Sequence, residues 1–384
     1  MATKAKKQAD KVEAPAKEAA AITSIKGFDH EFKCRGFQFE VGKTYEVKGD
    51  VKACRNGFHA VSMDAPLHVW DFYPIIDDEG RLTRYAITEQ TGATDEEKTE
   101  KGTKIASASI SIKMELSLPE FIRKAVERIV DLTRGKTADA AGYSAQIGSS
   151  GYYARIGSSG CSAQIGSSGY YARIGSSGDY AQIGSSGDYA QIGSSGDYAQ
   201  IGSSGDSAQI GSSGYYARIG SSGCSAQIGS SGDYARIGSS GDSAQIGSSG
   251  DYARIGSSGD SAQIGSSGDS AQIGSSGYYA RIGSSGCSAQ IGSSGYYAQI
   301  GSSGDYAQIG SSGDSARINS TGRDAVIASA GPGTTASGID GAWVSLAEFI
   351  DGKCVGFATG CIGKDGLKPN TAYRALGGKL VEVE

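Results

Sequence analysis

Residues 178–204 read GDYAQIGSS three times in succession, and this nine-residue unit decides the fold of the chain. Glycine recurs at every ninth position from Gly142 to Gly313, nineteen steps that define twenty blocks of the form G-x-y-A-[Q/R]-I-G-S-S. A degenerate copy begins at Gly322. A short fixed period is typical of a solenoid, in which each unit buries its apolar face against its neighbours. The repeats therefore predict one continuous β-solenoid over residues 142–330.

Each unit must be a strand and a turn, because nine residues cannot hold a helical hairpin. The segment y-A-[Q/R]-I alternates, so Ala and Ile point to one side and the other two positions to the opposite side. Position y exchanges Tyr with Ser, and its outward neighbour exchanges Gln with Arg, changes that a packed interior would not accept. We therefore expect Ala154 and Ile156 to face inward, and Tyr153 and Arg155 outward. The segment G-S-S-G-x is predicted to form the corner, with glycine at positive φ.

The thin Ala and Ile interior favours a flattened, two-sided coil of eighteen residues, with a three-sided coil of twenty-seven as the alternative. Ten two-sided coils, at roughly 4.8 Å each, would make a rod of about 48 Å. A longer period is superimposed, since Cys161, Cys224 and Cys287 are 63 residues apart, or seven units. In an eighteen-residue coil, successive copies of that longer unit would lie on opposite faces. Slippage of repetitive DNA and a functional use of length both explain the duplication.

The flanking segments predict a mainly β chain with two small domains around the solenoid. Residues 1–22 are rich in Lys and Ala and are expected to be a disordered tail. Residues 23–133 predict an α+β domain with strands at 37–41, 43–47 and 106–116, and a helix that begins at a capping box, Ser117 to Glu120. We expect this helix near the mouth of the solenoid, covering a strand edge. Residues 339–384 predict two hairpins, an all-β module that caps the far end or mediates oligomerisation.

Composition limits the classes of partner. The net charge is −5, and the repeats carry eleven Asp against seven Arg, a balance that argues against nucleic acid as a partner. No apolar run is long enough for a membrane span, and the N-terminus lacks the apolar core of a secretion signal. The seven cysteines are expected to be reduced.

Two pairs of segments resemble known modules. The stretches CRGFQFEVGKTYE at 34–46 and CRNGFHA at 54–60 resemble a domain of unknown function that is frequent in phage and prophage proteins. The stretches WVSLAEF at 343–349 and KPNTAY at 368–373 resemble a module of similar proteins. The resemblance implies a phage or prophage setting, and hence the bacterial cytoplasm or the virion, but it implies no activity.

The residues predict no metal, no cofactor and no catalytic site. Cys34, Cys54, His59 and His68 lack the Cys-x-x-Cys spacing of a structural zinc site. In the repeats, Asp stands one position early for a calcium-binding β-roll, and several blocks replace it with Tyr or Cys. One alternative remains: the order of segments in residues 57–87 loosely resembles small ADP-ribosyltransferase-like folds. That resemblance implies that His59 and Tyr85 contact a nicotinamide nucleotide, but it assigns no acidic catalytic residue.

The repeats also predict an interaction surface, since seventeen of the twenty-one tyrosines lie there. Tyr and Arg are enriched at recognition surfaces, although stacked Tyr columns would equally stabilise a sheet. The predicted surface comprises Tyr152, Tyr153, Arg155, Tyr171, Arg173, Tyr215, Tyr216, Arg218, Tyr278, Tyr279 and Arg281. We therefore predict a non-enzymatic structural and interaction protein that spaces, displays or binds a protein or glycan. Homo-oligomers would form through the C-terminal module or a solenoid edge.

Overall fold

The computed structural model of the chain describes residues 21–53, 55–77, 81–99, 102–133 and 142–383. In these residues the structure confirms the predicted fold class: a β-solenoid of about eleven coils between a small α+β N-terminal region and C-terminal strands. The predicted tail, residues 1–22, lies outside the described residues except for its last two. In the part of the chain that is described, no helix is long and apolar enough to cross a bilayer.

The described N-terminal elements are β1 (Ile22–Phe28), β2 (Lys33–Cys34), β3 (Phe37–Gln38), β4 (Thr44–Glu46), β5 (Phe58–Ser62), a 3-10 helix (Pro66–Asp71), β6 (Arg84–Thr99), β7 (Gly102–Leu116) and α1 (Leu118–Thr133). β1 pairs with β5 and β6, and β7 also pairs with both, so these four strands close into a ring. The capping box is present, because the Ser117 backbone N–H donates to the Glu120 carboxylate at 2.9 Å and the Glu120 backbone N–H donates to Ser117 Oγ at 3.5 Å.

The strands predicted at 37–41 and 43–47 are shorter in the structure, Phe37–Gln38 and Thr44–Glu46, and they do not pair with each other. β3 pairs with β2 through a tight turn in which Arg35 and Gly36 have φ of 50° and 78°, as a two-residue hairpin requires. β4 pairs instead with residues 109–111 of β7. Gly42, at φ 83°, redirects the chain toward that strand rather than reversing it onto β3.

Successive repeats alternate between two parallel sheets, called sheet 1 and sheet 2. Residues eighteen apart pair in register, for example Ile165 with Ile183 and Ile192 with Ile210. This confirms the two-sided coil, and the three-sided alternative is wrong. Sheet 1 contains β8 (Gln146–Ser149), β10 (Gln164–Ser167), β12 (Gln182–Ser185), β14 (Gln200–Ser203), β16 (Arg218–Ser221), β18 (Arg236–Ser239), β20 (Arg254–Ser257), β22 (Gln272–Ser275), β24 (Gln290–Ser293), β26 (Gln308–Ser311) and β28 (Val326–Ser329). Sheet 2 contains β9 (Arg155–Ser158), β11 (Arg173–Ser176), β13 (Gln191–Ser194), β15 (Gln209–Ser212), β17 (Gln227–Ser230), β19 (Gln245–Ser248), β21 (Gln263–Ser266), β23 (Arg281–Ser284), β25 (Gln299–Ser302), β27 (Arg317–Ser320) and β29 (Thr335–Ser337).

The strand of each unit is [Q/R]-I-G-S, which corrects the predicted y-A-[Q/R]-I. Ala and Ile face the core as expected, since Ala190 is fully buried and Ile192 is 3% exposed. Ser194, which the sequence placed in the corner, is also buried, at 6% exposure. The alternation continues through the second half of the unit, so the core contains three rows of side chains: Ala, Ile and Ser.

The corner is formed by Gly-x-y, and from Tyr189 onward the left-handed residue is y. Tyr189 and Ser207 have φ of 55° and 56°, whereas the glycines of the described repeats do not have positive φ. The predicted role of these glycines is therefore wrong. Glycine is required at the first position because the coils approach closely there: a Cβ at Gly196 would lie 2.0 Å from the carbonyl oxygen of Gly178.

The N-terminal domain lies on the outer face of sheet 1. α1 crosses β8, β10, β12 and β14, and its apolar stripe covers the outward glycines of these strands. A Cβ at Gly166 would meet Ile129, and one at Gly184 would meet Val126. The helix therefore lies at the start of the solenoid, as the sequence predicts, but it covers the face of sheet 1 rather than a strand edge. Because these glycines have no side chains, they leave a groove along the outer face of sheet 1, and the apolar side chains of α1 pack into it.

The C-terminal strands extend both sheets: β30 (Trp343–Ile350) and β31 (Lys353–Cys361) in sheet 1, and β32 (Tyr373–Leu376) and β33 (Lys379–Glu382) in sheet 2. Each pair is an antiparallel hairpin, as the sequence predicts. Leu346, Ile362 and Tyr373 pack against the last coils. The buried carboxylate of Glu348 joins the two hairpins, because it accepts hydrogen bonds of 2.7 Å from the backbone N–H groups of Gly377 and Gly378.

Candidate functional site

The tyrosines at position y form columns along the corners of the solenoid. One corner carries Tyr180, Tyr198, Tyr216, Tyr234 and Tyr252, one coil apart, with ring centroids separated by 5.3, 5.1, 4.9 and 5.0 Å. The interplanar angles are 12°, 5°, 12° and 6°, so each ring face covers the next. The column therefore presents ring edges and hydroxyl groups to solvent, and its ring faces are occupied.

The opposite corner carries a shorter column at each end. Tyr153, Tyr171 and Tyr189 stack near the start, and Tyr279 stacks on Tyr297 at a centroid distance of 5.2 Å. Serines occupy position y between them: Ser207, Ser225, Ser243 and Ser261. Tyr152 stacks on Tyr170 at 5.4 Å, and Tyr278 on Tyr296 at 5.1 Å, at position x of the same corner.

The structure divides the predicted interaction surface between the two sides of the rod. Tyr152, Tyr153 and Tyr171 lie together with Arg155 and Arg173, which pair in register on sheet 2. Tyr278, Tyr279 and Arg281 lie farther along the same side, and Tyr215, Tyr216 and Arg218 lie on the side of sheet 1. Arg218 is half-buried there. From Tyr198 to Ser261, Tyr and Ser alternate at position y. Because successive repeats alternate between the two sheets, this pattern places Tyr at one corner and Ser at the other.

The outer face of sheet 2 is open along the described length of the solenoid. It consists of a row of exposed Gln and Arg side chains at the fifth position and a row of glycines at the seventh. A Cβ at Gly193, Gly211, Gly229 or Gly247 would have no heavy atom within 4 Å. The arginines stand toward the ends, at Arg155, Arg173, Arg281 and Arg317, with glutamines between.

The same pattern on sheet 1 holds the N-terminal domain. Gln182 Nε2 donates to Asp71 Oδ1 at 2.7 Å, and Gln200 Nε2 donates to the Trp70 carbonyl oxygen at 3.0 Å. Beside this glutamine row, Trp70 and Ile122 lie over Gly202. One face of the repeat is therefore a demonstrated docking surface, whose glycines receive apolar side chains and whose glutamines donate to oxygen atoms.

A cavity of about 610 Å³ lies in the N-terminal domain between β1, β5 and the β2–β3 hairpin. Lys26 lines it and is 3% exposed, with Nζ donating to the His59 carbonyl oxygen at 2.8 Å and to Cys34 Sγ at 3.4 Å. Cys34 Sγ and Tyr73 Oη are hydrogen bonded at 2.6 Å. Burial lowers the pKa of Lys26, and burial also raises the pKa of the Tyr73 hydroxyl.

The two residues implied by the ADP-ribosyltransferase resemblance occupy different places. His59 lines this cavity. Tyr85 is fully buried and stacks on Phe121 at a centroid distance of 4.5 Å, and its hydroxyl donates to the Tyr73 carbonyl oxygen. Tyr85 is therefore part of the core between the sheet and α1. Sequence reasoning missed Lys26, because one lysine in a strand gives no pattern.

The residues considered for zinc do not form a metal site where the structure describes them. His68 Nδ1 pairs with Asp71 Oδ2 at 2.8 Å, and Cys34 bonds to Lys26 and Tyr73. Cys54 lies outside the described residues. Among the residues that are described, no group of three or more His, Cys, Asp or Glu side chains is arranged to hold a metal ion.

Comparison with known proteins identifies one region. Residues 22–124 match a family described as a domain of unknown function (DUF7666). This region holds the strand ring, the Lys26 cavity and the start of α1. No curated protein and no solved structure matches the chain.

Proposed function

We propose that this chain is a non-enzymatic scaffold of phage or prophage origin, a rigid solenoid that carries its N-terminal domain on sheet 1 and binds a protein partner on sheet 2. The observation that carries the proposal is the repetition of one docking pattern on both faces. Sheet 1 uses its glycine and glutamine rows to hold α1 and the 3-10 helix. Sheet 2 presents the same rows, uncovered among the described residues.

The geometry favours an amphipathic helix as the docked element. A helical turn advances about 5.4 Å, and neighbouring strands are about 4.8 Å apart. One apolar residue per turn can therefore meet one glycine per coil. On sheet 1, Ile129, Val126 and Ile122 do this over Gly166, Gly184 and Gly202. The arginines near the ends of sheet 2 favour acidic residues on the flanks of the partner helix.

The aromatic columns support a protein partner over a glycan. Sugar rings pack against the faces of aromatic side chains, and along the corners those faces are covered by the next tyrosine. Between stacked neighbours only edges and hydroxyl groups remain, so uncovered faces are confined to the column ends and to unstacked rings such as Tyr306. The columns stabilise the corners, and the flat sheet 2 face between them is the binding surface in this proposal.

Valine substitutions on the outward glycines test the proposal. Gly211, Gly229 and Gly247 on sheet 2 have room for a side chain, and so do Gly274 and Gly292 on the uncovered part of sheet 1. Full-length chains carrying either set should stay folded and be used as bait in a bacterial host lysate. We expect the sheet 2 variant to lose a protein that the wild type and the sheet 1 variant retain. Equal capture by all three, or capture abolished by periodate oxidation of glycans but not by proteolysis of the lysate, would contradict the proposal.

A further inference from the structure

A buried lysine, Lys26, lines the N-terminal cavity, and no carboxylate in the described part of the chain pairs with it. The Lys26 ammonium has a carbonyl oxygen and a thiol as hydrogen-bond partners, and the rings of Phe28, Phe39 and Tyr73 lie 5.7, 5.4 and 5.8 Å from Nζ. Among the described residues, no carboxylate pairs with it. A buried ammonium without an anion is strongly disfavoured, because ring faces and neutral dipoles replace water only in part.

All but one of the other charged side chains that line the cavity are basic. Arg35, Arg55 and Lys104 line it with Lys26. Asp71 is the one carboxylate among the described lining residues, and its oxygens bond to His68 and to Gln182 of the solenoid. Burial is the main cause of the lowered pKa of Lys26, and Lys104 and Arg35 lower it further while Cys34 opposes them. Four basic side chains therefore line the cavity, against one carboxylate whose oxygens are already hydrogen bonded.

Aromatic side chains form much of the wall. Phe37, 48% exposed, stands at the rim after the Arg35-Gly36 turn, and Phe58 and Phe72 line the cavity. The tight turn holds Arg35 and Phe37 on the same hairpin. Two further titratable groups face the cavity, the His59 imidazole and the Tyr73 hydroxyl. A ligand that suits these walls combines a negative charge with a planar ring.

We propose that this cavity binds a small aromatic anion of the nucleoside monophosphate class, with the phosphate directed at Lys26 and Arg35 and the ring against the phenylalanines. Cationic side chains and aromatic surface together recognise such ligands, since phosphate takes charge-assisted hydrogen bonds and the ring takes stacking contacts. This proposal is separate from the docking function of sheet 2, because the cavity lies within the N-terminal domain.

Calorimetric titration of the full chain tests the proposal with three probes. Adenosine 5′-monophosphate carries both features, inorganic phosphate lacks the ring, and adenosine lacks the charge. We expect the monophosphate to bind at least tenfold more tightly than either of the others. Lys26→Met should reduce its affinity at least tenfold, as should Arg35→Asn, which tolerates the left-handed backbone of that residue. Lys43→Met, an exposed lysine outside the cavity, is the control and should bind like the wild type.

Proton uptake distinguishes a buried site from loose attraction by surface arginines. An anion beside Lys26 raises its lowered pKa, so titrations at successive pH values below the ordinary 10.5 should reach a range in which binding takes up protons, and there the measured heat should vary with the ionisation enthalpy of the buffer. Lys26→Met should remove that variation. The proposal is overturned if the monophosphate does not bind, or if a folded Lys26→Met chain binds it as the wild type does. It is also overturned if binding takes up no proton at any of these pH values.

Discussion

A methyl group added at Gly232 would lie 2.0 Å from the carbonyl oxygen of Gly214, one coil earlier. The contact is between backbones, so no side-chain rearrangement can relieve it. Gly229, three residues before, is also a glycine of the repeat, but a Cβ added there would have no heavy atom within 4 Å. We therefore expect Gly232→Ala to lower the melting temperature sharply and Gly229→Ala to leave it within a few degrees. Calorimetry of both variants measures this, and equal melting temperatures would show that the coils separate more easily than the structure indicates.

Gly220 tests the docking of the N-terminal domain. A Cβ there would lie 2.5 Å from Ile75 Cγ2, and Leu118 lies on the same side. Gly220→Val should release the domain from sheet 1 while the coil stays intact, because the substitution points outward. We expect faster hydrogen exchange in α1 and slow exchange still in the sheet 2 strands. Gly229→Val, on the open face, is the matched control and should leave α1 protected.

The repeats determined most of the solenoid but not the boundaries of its strand. Ala190, Ile192 and Ser194 share one parity, so the alternation that places the first two inside also places the third inside. Serine is common in turns, which favours the corner for this residue. It is invariant in the repeats, however, whereas position y varies between Tyr and Ser, and invariance is typical of a packed site. The docking groove is not predictable from the repeat for a related reason. Glycine is also common in turns, whereas Gly202 lies in a strand and Trp70 packs over it.

The tyrosine column should contribute to stability through its stacked rings. Tyr216 stacks on Tyr198 and on Tyr234, so Tyr216→Ser removes two ring pairs in one substitution. Aromatic pairs contribute about 0.5–1.5 kcal/mol each beyond their buried area, which gives an expected loss of about 1–3 kcal/mol. Serine occurs naturally at this position of the repeat and adopts the same φ, 56° at Ser207. Denaturant unfolding of the two chains gives the difference, and a change below about 0.5 kcal/mol would mean that the stacking is incidental.

The same column predicts a loss of stability in alkali. Burial, and then the neighbouring Tyr216 and Tyr252, raise the pKa of Tyr234 above its ordinary value of 10.0. The folded chain therefore keeps protons that the unfolded chain releases, and the free energy of unfolding should fall as the pH rises from about 10 through the folded pKa. Melting temperatures between pH 8 and pH 11.5 measure the decline. Tyr234→Phe keeps the ring and removes the proton, so its decline should be shallower than that of the wild type.

Removal of whole repeats tests the modularity of the rod. Residues 241–303 are seven units and residues 241–294 are six, and both lie beyond the strands that carry the N-terminal domain. Every Ala and Ile on either side of the cut still meets Ala and Ile one coil away, because both sheets share one core. We expect both shortened chains to fold with similar melting temperatures. They should differ in geometry: six units are three whole coils, whereas seven end on half a coil and turn the C-terminal strands to the opposite side. Fluorescence energy transfer between a label at Cys354, which is exposed on β31, and one on the N-terminal domain would report this half-turn.

A chain that lacks residues 241–298 is the control. The length of this deletion is not a multiple of nine, so it places Ile out of register and the chain should not fold. If the six-unit chain folds and the seven-unit chain does not, the N-terminal and C-terminal ends must be coupled in phase, and the repeats are modular only in pairs.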